Sequence, residues 1–347
     1  MSKHTYIIGE IGQNHNGSVD LANLLIDLVS KPIEELLFGL DLSGMDAVKL
    51  TKRDLNEELS ASQMNRTYDS PHSFGNTYGK HRAFLELSDE QHFEVFKHAK
   101  SKGLDFVETL CAQGCLTLLR LFTPEYLKVA SRDLTNLPLL SAMAETQIPI
   151  ILSTGMAGKE ELDQAIDTIG KYHQKISILH CVSEYPTHPQ NVNLATITFL
   201  IKHYPEFTVG YSDHTIGIAT PSAAVAMGAK IIEKHITLDR RMKGTDQAGS
   251  LGPDGVNRMV RDIRLMDMSI GVEKMFISDG ALSASHKLER SIATNRLMKL
   301  GEIIQESDIH LLSPGDGFKW SQKSKVIGKA LNVNLEKDEI IYSKDLT

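Results

Sequence analysis

PIILSTGMAGKEELDQAIDTIGKYHQKISILH, Pro149–His180, is the stretch that decides the fold. A short apolar run, PIILS, gives way to Thr154, Gly155 and a helical pattern that starts near Lys159. A second apolar run, ISILH at Ile176–His180, follows. Near-continuous apolar runs joined by a helix imply parallel strands covered on both faces, because a parallel neighbour is reached only by a crossover.

The same unit recurs in both directions. Upstream lie Tyr6–Ile11, then Ala47–Leu50 after a helix over Val19–Val29, then Phe106–Thr109 and Tyr126–Val129. The charged helix Asp89–Lys102 precedes the third of these runs and stops at Gly103. Downstream lie Phe207–Tyr211 and Lys230–His235, the latter after the Ala-rich helix Thr220–Gly228. Eight strands alternating with helices over about 240 residues predict an α/β fold, a (β/α)8 TIM barrel, with a doubly wound open sheet as the competing arrangement.

Two stretches break the pattern. Thr51–Ser88 is polar, rich in Ser, Tyr, Asn and Gly, and too long for an ordinary strand-to-helix connection. On a barrel it lies at the active-site face, either as a surface excursion or as a lid or substrate-recognition loop. After Ile270, residues 271–286 carry Gly, Ser and Asp without clear periodicity and read as a linker. Beyond it ERSIAT, the KLGE turn at Lys299–Glu302, the SPGDG turn at Ser313–Gly317 and VIGKAL predict a compact, mostly-β domain. The expected organisation is a catalytic barrel over 1–270, a linker over 271–286 and a small domain over 287–347. So small a unit gains stability by docking on a partner surface.

Of the 347 residues 41% are hydrophobic and 23% charged, an ordinary globular composition. The net charge is −7 with the basic residues dispersed, so no nucleic-acid partner is expected and an anionic ligand must be held by a local site. No run of about 18 apolar residues occurs, which predicts no transmembrane helix and no membrane partner. The first residues lack the apolar run of a signal peptide, and a cytoplasmic location is expected. Three cysteines, an odd and sparse count, argue against a disulfide framework and fit a reducing compartment. Cys111 and Cys115 have metal-like spacing but no second pair, so no cysteine metal site is expected.

A parallel barrel gathers the C-terminal ends of its strands at one mouth. In strand order those ends carry Glu10, with Asn14 and His15 after it; Lys49; Thr109; Lys128, with Ser131 and Asp133; Ser153 and Thr154; His180, with Ser183 and Tyr185; Tyr211, with Ser212 and His214; and Glu233 and His235. Two lysines and several hydroxyls suit a ligand bearing phosphate and carboxylate. His214 and His235, on adjacent strands, could hold a metal that keeps positions open to substrate; manganese, magnesium, iron and zinc all suit the ligand type. Taken singly each residue has an ordinary role: a histidine as a hydrogen-bonded strand-end residue, a lysine as half of an ion pair, Lys128 also as a Schiff-base lysine.

The residues GEIGQNHNG (Gly9–Gly17), ILSTGM (Ile151–Met156), LHCVSEYPT (Leu179–Thr187), VGYSDHT (Val209–Thr215) and EKHITLD (Glu233–Asp239) resemble the sialic acid synthase, or N-acetylneuraminate synthase, family. ERSI (Glu289–Ile292), KLGE, PGDG and VIGK resemble its antifreeze-like, or SAF, domain. The resemblance runs in order along almost the whole chain. It implies an enzyme that condenses phosphoenolpyruvate with an N-acetylmannosamine-type sugar to a nine-carbon 2-keto acid plus phosphate. Legionaminic- or pseudaminic-type synthesis from a diacetamido hexose is the near alternative. It also implies a domain-swapped homodimer, and Mn2+ or Mg2+ on His214 and His235. Phosphoenolpyruvate would be bound by Lys49, Thr109, Lys128, Ser131, Ser153, Ser183 and Ser212. The sugar would meet Tyr185, Glu233, Asp246 and the partner's Arg290, with Thr51 beside them; the candidate catalytic carboxylates are Glu10, Asp133 and Glu233, the last of which could serve the sugar instead. The chain departs from the family pattern at Thr51, where Gln is common, and at SRDLTN, where Gly and Glu are common. Outside this class stand a Schiff-base pyruvate aldolase using Lys128 and a non-enzymatic carbohydrate-binding protein.

Overall fold

The computed structural model describes residues 4–347. Among them eight parallel strands close into a barrel: β1 (Tyr6–Gly12), β2 (Ala47–Lys52), β3 (Asp105–Leu110), β4 (Tyr126–Val129), β5 (Ile150–Ser153), β6 (Ile176–Cys181), β7 (Thr208–Asp213) and β8 (Ile231–His235). Each strand pairs with the next and β8 returns to β1, which rules out the open sheet. Glu10 lies in register with Lys49 on one side and His235 on the other.

Side chains alternate along a strand, and this sets the depth of every residue in the barrel. Ile8, Ala47, Val107, Ile151, Leu179 and Ile231 form a buried apolar plug inside it. Two residues further along the same strands stand Glu10, Lys49, Thr109, Ser153, Cys181 and Glu233. The outward residues Ile7, Val48, Phe106, Leu127, Ile150, Ile178, Val209 and Ile232 share one core with Leu25, Val95, Leu140, Leu162, Ile197 and Ile263 of the surrounding helices. One step from apolar to polar along each strand thus turns a packed barrel into a site.

The helices obey local signals. Ser88 and Gln91 form a capping box at the start of the helix Asp89–Ser101, and Gly103, at φ +76°, takes the left-handed turn that ends it. A hairpin, Ile33–Glu35 with Leu40–Leu42, interrupts the path from the first helix to β2 and was not foreseen. The long stretch after β2 is not a bare loop. It forms short helices at Leu55–Glu58, Ala61–Asn65 and Tyr78–Leu85, and packs its own aromatic rings: Phe74 stacks on Phe84 at 4.5 Å, and Tyr68 lies 4.8 Å from His81.

The chain divides into two compact units, the first ending at Gly271 and the second running Val272–Thr347. The stretch expected as an irregular linker carries most of a helix, Asp279–Leu288, capped by Ser278. None of its residues is buried, so it has no apolar face for a sequence pattern to reveal. The second unit pairs β9 (Ser291–Thr294) with β10 (Ile309–Leu312) antiparallel over its own core of Ile292, Met298, Ile304, Val326, Leu331 and Ile341. No helix among the described residues is long and apolar enough to cross a membrane.

Candidate active site

A cavity of about 420 Å3 opens at the C-terminal ends of the barrel strands. Glu10, Lys49, Thr51, Thr109, Lys128, Ser131, Ser153, Ser183, Tyr185, Ser212, His214, Glu233, His235 and Asp246 all line it. Of the other strand-end residues expected at the mouth, Asn14, His15, Thr154, His180 and Tyr211 are not among the described lining residues. Two residues expected to act on the substrates are also placed otherwise. Asp133 is not among the described lining residues; it is buried, with its carboxylate 3.3 Å from Arg132 Nε, and Arg132 faces the cavity instead. Arg290 lies in the second unit, exposed, just before β9.

The floor is a buried charge cluster. Lys49 Nζ sits 2.8 Å from Glu10 Oε2 and 3.4 Å from Glu233 Oε1, and donates to Thr109 Oγ1 at 3.2 Å. Lys128 Nζ donates to Ser153 Oγ at 2.6 Å and to the Val129 carbonyl at 3.0 Å. Ser212 Oγ donates to Glu233 Oε1 at 2.9 Å, while Glu233 Oε2 has no hydrogen-bond partner among the described residues.

These surroundings drive the two carboxyl groups apart. Burial, only partly opposed by Lys49 and reinforced by Glu233, pushes Glu10 up to about 7. Burial also acts on Glu233, but there Lys128 and Lys49 outweigh it and hold the group at about 2. Two carboxyls separated in this way around one lysine are a proton carrier and a fixed anion. Burial holds Lys128 below the usual lysine range.

At the ends of β7 and β8 the rings of His214 and His235 have centroids 5.7 Å apart, with Tyr185 packed 4.1 Å from His214. His214 Nδ1 donates to the Val182 carbonyl at 2.8 Å, which fixes the tautomer that leaves Nε2 a bare lone pair. Burial holds His235 below the usual imidazole range, hence neutral, and its Nδ1 is buried without a partner among the described residues. Imidazoles with unclaimed nitrogens are metal ligands in their chemistry. Among the described residues no group of three or more His, Cys, Asp and Glu side chains is arranged to enclose an ion. A cation on this pair would therefore keep most of its coordination positions for other ligands.

Between β4, β5 and β6 the backbone makes room for a ligand. Gly155 N donates to Ser131 Oγ at 3.0 Å, and a Cβ on Gly155 would lie 2.4 Å from Ser183 Oγ, 2.8 Å from Ser131 Oγ and 2.9 Å from Cys181 Sγ. Gly155→Ala is expected to splay the two serines and lower activity by about 10²-fold, measured by steady-state kinetics.

Several lining residues escaped the sequence reading. Arg53 was missed because β2 was ended at Leu50; the strand runs to Lys52, and counting Lys49, Thr51, Arg53 by twos reaches the mouth. Cys181 follows Leu179 by the same step. Gln13 and Thr245 carried no signal. The rim also receives Tyr68 and Arg82 from the stretch after β2, so that stretch contributes to the wall of the cavity.

Comparison with known proteins agrees with this geometry. The model of the NeuB family matches residues 41–275, and that of the SAF domain matches 289–347. A human protein named N-acetylneuraminate-9-phosphate synthase is 31% identical over 98% of this chain and 92% of its own. A Legionella pneumophila N,N'-diacetyllegionaminic acid synthase is 34% identical over 95% of this chain and 91% of its own. The crystal structure of a Leptospira borgpetersenii N-acetylneuraminic acid synthetase is similar at a TM-score of 0.67 and 29% identity, covering 81% of this chain and 90% of that one. A barrel whose polar layer falls largely within the matched span, followed by a matched small unit, leads to one assignment: this chain is an enzyme of the NeuB family of sialic-acid-type synthases, with a SAF domain.

Proposed function

We propose that this enzyme condenses phosphoenolpyruvate with an N-acetylmannosamine-type or diacetamido hexose, releasing phosphate and a nine-carbon 2-keto acid. The observation that carries the reading is the layered mouth: two buried lysines amid hydroxyl groups, in one cavity with a pair of imidazoles. Lys49 and Lys128, with Thr109, Ser131, Ser153, Ser183 and Ser212, hold the phosphate and carboxylate of the enol ester as charge-assisted hydrogen-bond donors. Bound in this way, its C3 carbon faces the aldehyde carbon of the open-chain sugar. A divalent cation on His214 and His235, Mn2+ or Mg2+, would supply Lewis acidity at the carbonyl oxygen of the acceptor.

C3 attacks that carbon, and positive charge develops at C2 of the enol ester. Water adds to C2, and the tetrahedral carbon then expels phosphate with its bridging oxygen; the C2 hydroxyl proton leaves with the phosphate, and the alkoxide formed from the aldehyde takes up the other proton of the water. Glu10, poised near neutrality, takes the proton from this water. Glu233 stays ionised beside the developing positive charge. Asp133, turned away onto Arg132, is left a positioning role. Tyr185 and Asp246 face the acceptor, and Arg290 would reach it from the second copy of a homodimer. Three free, buried cysteines suit a reducing, cytoplasmic setting.

Phosphoenolpyruvate carrying 18O at its bridging position tests the route: the label is expected in the released phosphate, and label kept in the keto acid would exclude it. The lowered lysine range of Lys128 also favours Schiff-base chemistry. Borohydride with pyruvate is expected to leave Lys128 unmodified, and a reduced adduct would turn the assignment to an aldolase.

The role of Glu10 has its own test. Its folded-state value near 7 means that the base is protonated, and kcat/KM falls, below about pH 7. Glu10→Gln is expected to lower the plateau and remove this limb of the pH profile. An unchanged limb would assign the proton to another group.

A further inference from the structure

We propose that the arginines on the β1–β4 side of the mouth form a second anion site, which takes a phosphomonoester on the acceptor sugar. The inference rests on the synthase reading above and narrows its acceptor. Arg53 follows β2, Arg82 stands on the helix Tyr78–Leu85, Arg132 follows β4, and all three line the cavity together with Gln13. They belong to one wall. Arg82 Nη1 donates to Gln13 Oε1, and Gln13 Nε2 donates to Glu86 Oε1 at 3.3 Å. Glu86 Oε1 is 3.7 Å from Arg53 Nε, and Arg53 Nη1 is 2.5 Å from Glu58 Oε1, which lies 3.6 Å from Arg132 Nη2.

The carboxylates of this wall, Glu58, Glu86 and Asp133, are not among the described residues that line the cavity; the guanidinium groups are. The side chains that this wall turns to the cavity are therefore cationic, with their counter-charge behind; Asp246, from the segment after β8, lines the same cavity. One guanidinium remains without a carboxylate. Arg53 is held by Glu58 and Glu86, and its Nε is buried. Arg82 bonds only to Tyr78 Oη and Gln13, with no carboxylate partner among the described residues.

The barrel thus presents two cationic groups at different depths. Lys49 and Lys128 lie on the strands, buried at the cavity floor. The arginines lie on the loops above, where the far end of the acceptor would lie. A neutral sugar would leave those forked donors without an anion, whereas a phosphomonoester matches their planar geometry and charge. Family membership leaves the point open, since one relative is named for a phosphorylated product and another for an unphosphorylated one.

The test uses the full-length chain with Mn2+ and phosphoenolpyruvate. Keto-acid formation is followed with N-acetylmannosamine, its 6-phosphate and a 2,4-diacetamido hexose. The 6-phosphate is expected to exceed both neutral sugars in kcat/KM by about 10²-fold, the worth of two charge-assisted hydrogen bonds. Arg82→Met is expected to cut this ratio by about tenfold or more, and Arg82→Lys to restore part of it. A neutral sugar used as well as the 6-phosphate, or an Arg82→Met ratio equal to the wild type, overturns the second anion site and leaves the synthase reading standing. No keto acid from any of the three overturns the synthase reading, and this inference with it.

Discussion

Lys49→Met is expected to lower kcat/KM for phosphoenolpyruvate by about 10³-fold, the loss typical of removing one preorganised donor to developing charge. Lys49 is 5% exposed and is the only cation within ion-pair distance of both Glu10 and Glu233 among the described residues. Its loss acts on the protein as well as on the ligand. Two buried carboxyls would then face each other without it, and breaking a buried pair costs about 3–5 kcal/mol when the remaining charge stays uncompensated. Here the cost depends on pH. Glu10 already sits above its unfolded value, so in the wild type its contribution is fully present below about pH 4.5 and is lost as pH rises through about 7. Removing the ammonium that opposes burial pushes Glu10 higher still, and protonated Glu10 needs no counter-charge. The variant is therefore expected to melt close to the wild type at pH 5.5 and well below it at pH 8. A uniform drop in melting temperature at both pH values would show that Lys49 acts by packing alone. An unchanged KM for phosphoenolpyruvate would remove it from the anion site.

The contrast between floor and rim explains what could be foreseen from the sequence. Floor residues lie on strands, and the period of two carries an apolar plug residue such as Ile8 or Val107 to a polar one such as Glu10 or Thr109. Any reader who finds the strand finds the residue. The reading failed where a boundary was off: ending β2 at Leu50 hid Arg53. Rim residues obey no such rule. Arg82 reaches the cavity because a helix inside the long stretch after β2 is held by stacking of Phe74, His81 and Phe84, contacts that no periodicity announces. Arg132 and Asp133 were exchanged for a similar reason. Both follow β4, and the turn Ser131–Asp133 decides which of two neighbours faces the mouth. The acid ends against its neighbour's guanidinium and not in the cavity. The helix at 279–288 was hidden by the opposite cause, since an element with no buried face leaves no pattern to read.

His235→Ala and His214→Ala are each expected to lower kcat by about 10³-fold or more, because a Lewis acid at a carbonyl oxygen contributes several kcal/mol at about 1.4 kcal/mol per tenfold. The two variants are expected to differ in stability and to agree in metal binding, and that combination separates a shared ion from two structural roles. His235 Nδ1 has no partner among the described residues, so truncation breaks no hydrogen bond there and the metal-free variant is expected to melt near the wild type. His214 does lose its bond to the Val182 carbonyl, a change of about 1 kcal/mol. An ion that binds only the folded chain raises its stability by about 2.7 kcal/mol at 100 times its dissociation constant. The wild type is therefore expected to gain several degrees in melting temperature when Mn2+ is added, and both variants to gain none. Titration calorimetry with Mn2+ is expected to give one site per chain in the wild type and none in either variant. Should one variant keep the ion with full affinity, the two imidazoles do not share it. Should chelator-treated wild type keep its full rate, the unclaimed nitrogens of His214 and His235 belong to the acceptor's hydroxyl groups instead.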